Sequence, residues 1–238
     1  MVKDSKHSCS KERVFKSNLE IHNLKLVFQS FGNASARDGD KCLIKPSGMR
    51  MSKIAIDDIV SVNIYDINDT DINLNPSSDT PTHIVLYEKF NNLGGVVHTH
   101  SLYATAWAQS GLPIPCLGTT HADYWNGDIP ITRDLRDDEI KNNYEHNTGL
   151  VIIERIEELG LNPLYCPGML VANHGPFAWG KDIEEAVKHA ELLEFIAKQA
   201  WIALSINSNA KPISSSLLKK HFSRKHGPNA YYGQNKET

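Results

Sequence analysis

The sequence has little of what marks a secreted, membrane-spanning or disulfide-rich protein. Its 238 residues contain four cysteines, which lie far apart and form neither a paired Cys-x-x-Cys metal motif nor a dense disulfide framework. No run approaches the roughly 18 apolar residues of a membrane span, and charges occupy the N-terminal segment where a secretory signal would need an apolar stretch. We therefore expect reduced thiols and a cytoplasmic location.

The chain also lacks an excess of charge of either sign. Lysine and arginine number 25 against 28 aspartates and glutamates, and the formal net charge is −3. This balance gives no general reason to bind nucleic acid or an anionic membrane, although a small anionic metabolite needs only a local basic pocket. The sequence shows no repeat, low-complexity tract or long linker. It predicts one globular domain over residues 1–238, with a loose polar tail at 235–238.

Short apolar runs alternate with amphipathic segments, which predicts an α/β protein with helices packed around a central sheet. Turn chemistry at residues 68–71 separates some of the expected elements. The expected strands span residues 41–44, 60–66, 95–100 and 169–172. The expected helices span residues 11–28, 80–90, 102–109, 137–159, 183–205 and 215–224.

Two histidines two residues apart, His98 and His100, end an apolar and β-branched run. Side chains at positions i and i+2 of a strand point to the same face, roughly 7 Å apart, so both imidazoles can converge on one ion. A third histidine, His174, follows another apolar strand. Three neutral imidazoles suit zinc, and also manganese or cobalt, while leaving positions open for a substrate. The alternative is that the His-x-His pair occurs by chance, on the surface or in the core, and binds no metal.

Two segments have the chemistry to hold an anion. Lys45-Pro46-Ser47-Gly48 follows a strand, and residues 76–81, with Ser77 and Ser78, precede a helix. Exposed N–H groups, serine hydroxyls and a nearby lysine can bind a phosphate. Taken alone, each segment also has an ordinary structural interpretation: serine before proline is a common helix cap, and Pro-Ser-Gly is a common turn.

Two aspartates and one aromatic-rich segment are candidates for acid/base chemistry. Asp79 is compatible with three roles: a capping carboxylate, a fourth metal ligand, or a group that manages protons beside the metal. Asp123 lies in what we interpret as a polar loop without an obvious cationic neighbour, which makes it a general acid/base candidate. The segment 225–234 is rich in aromatic residues, and a tyrosine there either donates a proton to a substrate alkoxide or merely packs on a neighbouring surface.

The ordered set of these strings resembles the L-ribulose-5-phosphate 4-epimerases of the class II aldolase family, which also includes fuculose phosphate aldolase and the adducin head domain. The resemblance runs from about His22 to Gln234. It departs in the first 20 or so residues and at Phe31, where tryptophan is more usual. The strings are Gly32-Asn33, Lys45-Pro46-Ser47-Gly48, Ser77-Ser78-Asp79-Thr80-Pro81-Thr82-His83, His98-Thr99-His100-Ser101, Gly118-Thr119-Thr120-His121-Ala122-Asp123-Tyr124, His174-Gly175-Pro176-Phe177-Ala178-Trp179-Gly180 and Lys225-His226-Gly227 through Tyr231-Tyr232-Gly233-Gln234.

The resemblance implies a single domain with a central, mainly antiparallel sheet flanked by helices, and a homotetramer with active sites between subunits. It implies zinc, or manganese or cobalt, held by His98, His100 and His174 with Asp79 beside them, and no organic cofactor. Asp123 and Tyr232 match the acid/base pair, with Tyr232 reaching the neighbouring subunit's site. The implied substrate contacts are Gly32, Asn33, Lys45, Ser47, Gly48, Ser77, Ser78, Thr119, His221 and Arg224.

The implied reaction inverts carbon 4 of L-ribulose 5-phosphate and gives D-xylulose 5-phosphate by a retro-aldol step. The bond between carbons 3 and 4 breaks, the aldehyde group rotates, and the fragments recombine on its opposite face. Two alternatives stay open: an aldolase, which carries a glutamate near the position of Asp79 and releases the fragments, and a non-catalytic interaction module. The sequence does not decide between arabinose and ascorbate breakdown.

Overall fold

A seven-stranded antiparallel sheet forms the centre of the part of the chain that the structure describes. The structure is a computed structural model, which describes residues 2–228, 230 and 231, with side chains from residue 10 onward. The strand order is β4-β3-β2-β1-β5-β7-β6. The strands are β1 (Asn33–Asp38), β2 (Lys41–Ile44), β3 (Val60–Asn63), β4 (Asp66–Thr70), β5 (Gly95–His98), β6 (Gly168–Val171) and β7 (Gly175–Gly180).

Helices cover both faces of this sheet. The described helices are α1 (Val2–Asn23), α2 (Thr80–Lys89), α3 (Leu102–Ser110), α4 (Thr119–Ala122), α5 (Asp137–Lys141), α6 (Tyr144–Glu158), α7 (Ile183–Ile206) and α8 (Ser215–His226). Helices α2 and α6 pack on one face, and α1 and α7 pack on the other. Among these helices, none combines the length and apolar character needed to cross a membrane. The expected antiparallel sheet flanked by helices is confirmed.

The central strands are buried on both faces, which explains their continuous apolar runs. In β5, Val96 packs with the α2–α6 side of the core, and Val97 packs with the α1–α7 side. In β7, Phe177 packs with the α2–α6 side of the core, and Ala178 packs with the α1–α7 side. Full burial of one such large apolar side chain stabilises a fold by about 1.5–3 kcal/mol. The two cores therefore fix the strands that carry the candidate site.

Several element boundaries agree with the sequence-based expectations. Strand β2 spans the expected residues 41–44, and α2 and α7 differ from expectation by one residue at one end. The expected helix over 137–159 is wrong as a single element, because α5 ends at Lys141 and α6 starts at Tyr144. Asn143 between them adopts a left-handed conformation with φ 55°. This conformation breaks the helical hydrogen-bond ladder.

Other expectations about the chain were wrong or incomplete. The expected turn at 68–71 belongs largely to β4, whose exposed polar residues pair with β3 at the sheet edge. The segment 119–122, which we interpreted as a loop, forms the short helix α4. Strands β1 and β7 had no sequence-based prediction.

Candidate metal and substrate site

Three neighbouring strands bring the predicted metal ligands together. In the register of β1, β5 and β7, Asn33 pairs with His98, and His98 pairs with Phe177. His98 is the last residue of β5, His100 lies two residues further, and His174 lies in the turn between β6 and β7. One ring nitrogen from each histidine lies within 4.8 Å of the others. The sheet register therefore gathers the three imidazoles where β5 ends and β7 begins.

The protonation of the histidines suits a metal ion. His98 Nδ1 lies 3.0 Å from the carbonyl oxygen of Pro176, which can only accept, so Nδ1 carries the proton. Its Nε2 lies 3.1 Å from Nε2 of His100. Burial lowers the pKa of His98 to about 3, and burial also lowers the pKa values of His100 and His174. Three neutral nitrogen donors at this spacing fit a zinc-type ion with open coordination positions.

Asp79 stands at the N-terminal end of α2, but its side chain does not cap that helix. One carboxylate oxygen instead accepts a hydrogen bond of 2.6 Å from Asn33 Nδ2. Burial raises the pKa of Asp79, yet the nearby His98 and His83 and the bond from Asn33 outweigh it, so the pKa is lowered. Of its three candidate roles, helix capping is therefore excluded by the structure. The carboxylate is ionised beside the histidines.

Gly32 lets the chain approach β5, the strand that ends at His98, closely. Its φ is +83°, and a Cβ built there would lie 2.6 Å from Val27 Cγ1 and 2.8 Å from the backbone oxygen of His98. Only glycine fits this conformation and this space. The preceding Phe31 is exposed, and its ring centroid lies 5.9 Å from that of His100.

The two candidate anion segments lie side by side. Pro46 and Pro76 form an isolated antiparallel bridge, and the Ser77 amide donates to the Lys45 carbonyl at 3.0 Å. Ser77 Oγ accepts from Asn33 Nδ2 at 3.0 Å, which links the pair to the Asp79 carboxylate. The polar groups at Ser47, Gly48 and Ser78 are exposed, so a ligand can reach them.

Lys45 is an unusually buried lysine, with 1% of its surface exposed. Its ammonium group donates to the carbonyls of Pro46 and Met49, and it forms no ion pair within the described residues. Burial lowers its pKa, although Asp79 opposes this. A buried cation without a paired carboxylate is costly, so an anionic ligand is well matched to it.

Asp123 has strong cationic partners, which corrects our reading of it as lacking them. Its carboxylate accepts from Arg224 Nε at 2.9 Å and Nη2 at 2.7 Å, and from His221 Nδ1 at 3.1 Å. His226 Nε2 donates to the Asp123 backbone oxygen at 2.9 Å. Burial raises the pKa of Asp123, but the Arg224 and His221 bonds outweigh it, so the pKa is lowered. The carboxylate is ionised and held by α8.

The predicted site residues thus fall into two groups in the described part of one chain. One surrounds the three histidines, and the other surrounds Asp123, where Thr119 begins α4 and lines a cavity of about 300 Å³ against α7. No hydrogen bond or ion pair joins the two groups among the described residues. Tyr232, the expected partner of Asp123, lies outside the described residues.

One residue beside the histidines was not predicted from the sequence. The hydroxyl of Tyr144 lies 3.3 Å from His174 Nδ1. It stands 30 positions before that histidine, inside a segment predicted only as part of an amphipathic helix. No local motif marks it, because the contact depends on how α6 packs against the sheet.

Comparison with known proteins places the chain in a family. The family model for the class II aldolase and adducin N-terminal domain matches residues 12–201. L-ribulose-5-phosphate 4-epimerase UlaF from Salmonella paratyphi C (strain RKS4594) is 52% identical over 226 residues, covering 94% of this chain and 98% of the relative. The Salmonella typhi protein of the same name has the same identity and coverage.

Solved structures show the same fold. An L-fuculose 1-phosphate aldolase superposes with a TM-score of 0.75 at 20% identity, covering 90% of this chain and 95% of the other. An identity this low speaks for the fold alone. The matched family model, the close relatives and the shared fold agree: the chain belongs to the class II aldolase and adducin N-terminal domain family.

Proposed function

We propose that the protein is an L-ribulose-5-phosphate 4-epimerase, an isomerase that interconverts L-ribulose 5-phosphate and D-xylulose 5-phosphate by retro-aldol cleavage and recombination. The observation that carries this proposal is the 52% identity, over nearly the full length of both chains, to relatives with that name. The histidine group and the anion segments are the parts that such a reaction requires.

His98, His100 and His174 would hold a divalent ion, most suitably zinc, with manganese or cobalt as substitutes. Such an ion supplies Lewis-acid stabilisation of the negative charge that develops on substrate oxygens. The ionised Asp79, fixed by Asn33, adds a negative charge next to the three neutral imidazoles. It serves as a further ligand or as a group that manages protons beside them.

The paired segments around Lys45 and Ser77 would bind the substrate phosphate. Lys45 supplies the positive charge, and Ser47, Gly48 and Ser78 supply exposed hydroxyl and amide donors. Charge-assisted hydrogen bonds of this kind are about twice as strong as neutral ones. A phosphate held there keeps the substrate in place while the bond between carbons 3 and 4 breaks.

Asp123 and Tyr232 would exchange a proton with the carbon 4 hydroxyl from opposite sides. Asp123 is ionised in the structure, so it begins as a proton acceptor. Arg224 and His221 fix its orientation and keep its pKa low. These two residues and Thr119 would contact the substrate once the two groups of residues meet.

We further propose a cytoplasmic homotetramer in which the two groups meet between subunits. Helices α3 and α7 expose large apolar side chains, which include Leu102 at 73% and Ile206 at 82%. A groove of about 460 Å³ lies there, lined by Tyr103, Trp107 and Trp201 among others. Contiguous apolar surface of this kind is typical of subunit interfaces. Among the described residues, no hydrogen bond or ion pair joins Asp123 to the three histidines, which supports a site shared between subunits.

The test is turnover of L-ribulose 5-phosphate by purified protein with added zinc or manganese, before and after chelation, with D-xylulose 5-phosphate as the measured product. We expect metal-dependent product without free glycolaldehyde phosphate. Accumulated fragments would identify an aldolase instead, and no reaction with no bound metal would favour a non-catalytic module. His100→Asn should abolish turnover, whereas the matched change His146→Asn, at an exposed site on α6, should leave it intact.

A further inference from the structure

Tyr144 contacts the predicted metal ligand His174 through its side chain and not through the backbone. Its hydroxyl lies 3.3 Å from Nδ1 of His174, and the two ring centroids are 6.1 Å apart. His98 has the matching contact from its Nδ1 to the Pro176 carbonyl. Both histidines therefore have an oxygen atom beside Nδ1.

The packing of α6 places the backbone segment that carries this hydroxyl. Tyr144 is the first residue of α6, and Thr148 Oγ1 donates to its carbonyl at 2.9 Å. The next residue, Glu145, accepts through its backbone oxygen a 2.5 Å hydrogen bond from Thr82 of α2. Because α2 starts directly after Asp79, the start of α6 is tied to the same end of the sheet as the candidate metal centre.

A neutral imidazole carries one proton, so the partner of one ring nitrogen decides the state of the other. A hydroxyl that accepts from Nδ1–H leaves the Nε2 lone pair free for a metal ion. Oxygen partners of this kind orient most metal-binding histidines and fix their tautomer. A backbone carbonyl that orients a histidine cannot be removed by mutation, whereas the hydroxyl of a tyrosine can.

We propose that Tyr144 is a positioning residue for His174: its hydroxyl accepts the Nδ1 proton and holds the ring with Nε2 available as a ligand. This inference rests on the metal-binding role proposed above for the three histidines. Loss of such an outer partner typically weakens metal affinity about 10–100-fold.

The experiment compares Tyr144→Phe with Tyr65→Phe, which removes the same oxygen from an exposed tyrosine between β3 and β4. Zinc affinity of the metal-free proteins is measured by competition with a chromophoric chelator. Visible absorption of the cobalt-loaded proteins reports the geometry of the ligands. We expect Tyr144→Phe to bind zinc about 10–100-fold more weakly with a shifted cobalt spectrum. Tyr65→Phe should match the wild type in both.

Equal zinc affinity and identical cobalt spectra for Tyr144→Phe and the wild type would overturn the positioning role and leave the proposed activity standing. A wild type that binds no metal would overturn both. A third measurement does not depend on the variant folding. Nitrogen-15 NMR of metal-free wild type, with neutral histidine rings, should show His174 protonated at Nδ1, and protonation at Nε2 would refute the assignment.

Discussion

Replacing Gly32 with alanine tests whether close packing just before β1 supports β5, the strand that ends at His98. A non-glycine residue in the left-handed region costs about 1–2 kcal/mol. The added Cβ would also lie 2.8 Å from the His98 backbone oxygen and 2.6 Å from Val27 Cγ1, and overpacking of this kind costs about 1–3 kcal/mol more. We therefore expect Gly32→Ala to lower the free energy of unfolding by about 2–5 kcal/mol.

Gly39 provides a matched control at the other end of β1. It also has a positive φ, of 61°, but a Cβ there would have no atom within 4 Å. Gly39→Ala should therefore cost only the conformational part, about 1–2 kcal/mol. Any gain from restricting the unfolded chain is common to both variants and cancels in the comparison.

Urea unfolding of the two metal-free variants, at one fixed protein concentration, measures this difference. Because the clash involves the His98 backbone, Gly32→Ala should also weaken zinc binding by about tenfold or more, as for other groups that orient a ligand. Gly39→Ala should not change zinc binding. Equal losses of stability in the two variants, with unchanged zinc affinity in both, would refute the steric reasoning.

Three further results are expected. Asp123→Asn should lower the epimerisation kcat by about 10²–10⁴-fold, because a neutral amide beside Arg224 cannot accept a proton, while metal analysis shows an unchanged zinc content. Lys45→Met should raise the KM for the sugar phosphate about 10-fold or more through loss of a charged hydrogen bond, and an unchanged KM would exclude a phosphate contact. Hydrogen bonds from Arg133 hold the pKa of Glu139 at about 2, below its ordinary value of 4.5. Its contribution to stability is therefore present above pH 4.5 and lost towards pH 2, so urea unfolding should show Glu139→Gln converging with the wild type as the pH falls.

Local patterns in the sequence were sufficient for the strongly periodic elements. The apolar run at 41–44 gives β2, and the segment after Asp79 gives α2, since each buries a continuous apolar surface. The edge strand β4 could not be read in this way. Its residues 66–70 have the polar composition of a turn, and they form a strand only because β3 offers a free edge.

The candidate site divides along the same line. His98 and His100 are two residues apart, so strand geometry alone predicts that they converge. The partners of Asp123 are 98 and 101 positions away, and only the folded chain shows that His221 and Arg224 bind its carboxylate. Tyr144 escaped for the same reason, because the packing of one helix against the sheet cannot be read from spacing.

The antiparallel register of β5 and β7 has a consequence for the order of folding events. The backbone contact that fixes the His98 ring joins residues 78 positions apart. Contacts between such distant segments carry a high loop-closure cost and are slow to form. Ions bound by His98 and His174 therefore gain their full ligand set only after these strands have paired. Interactions that form after the folding transition state change the unfolding rate and not the folding rate. Zinc should therefore slow unfolding while leaving the refolding rate nearly unchanged.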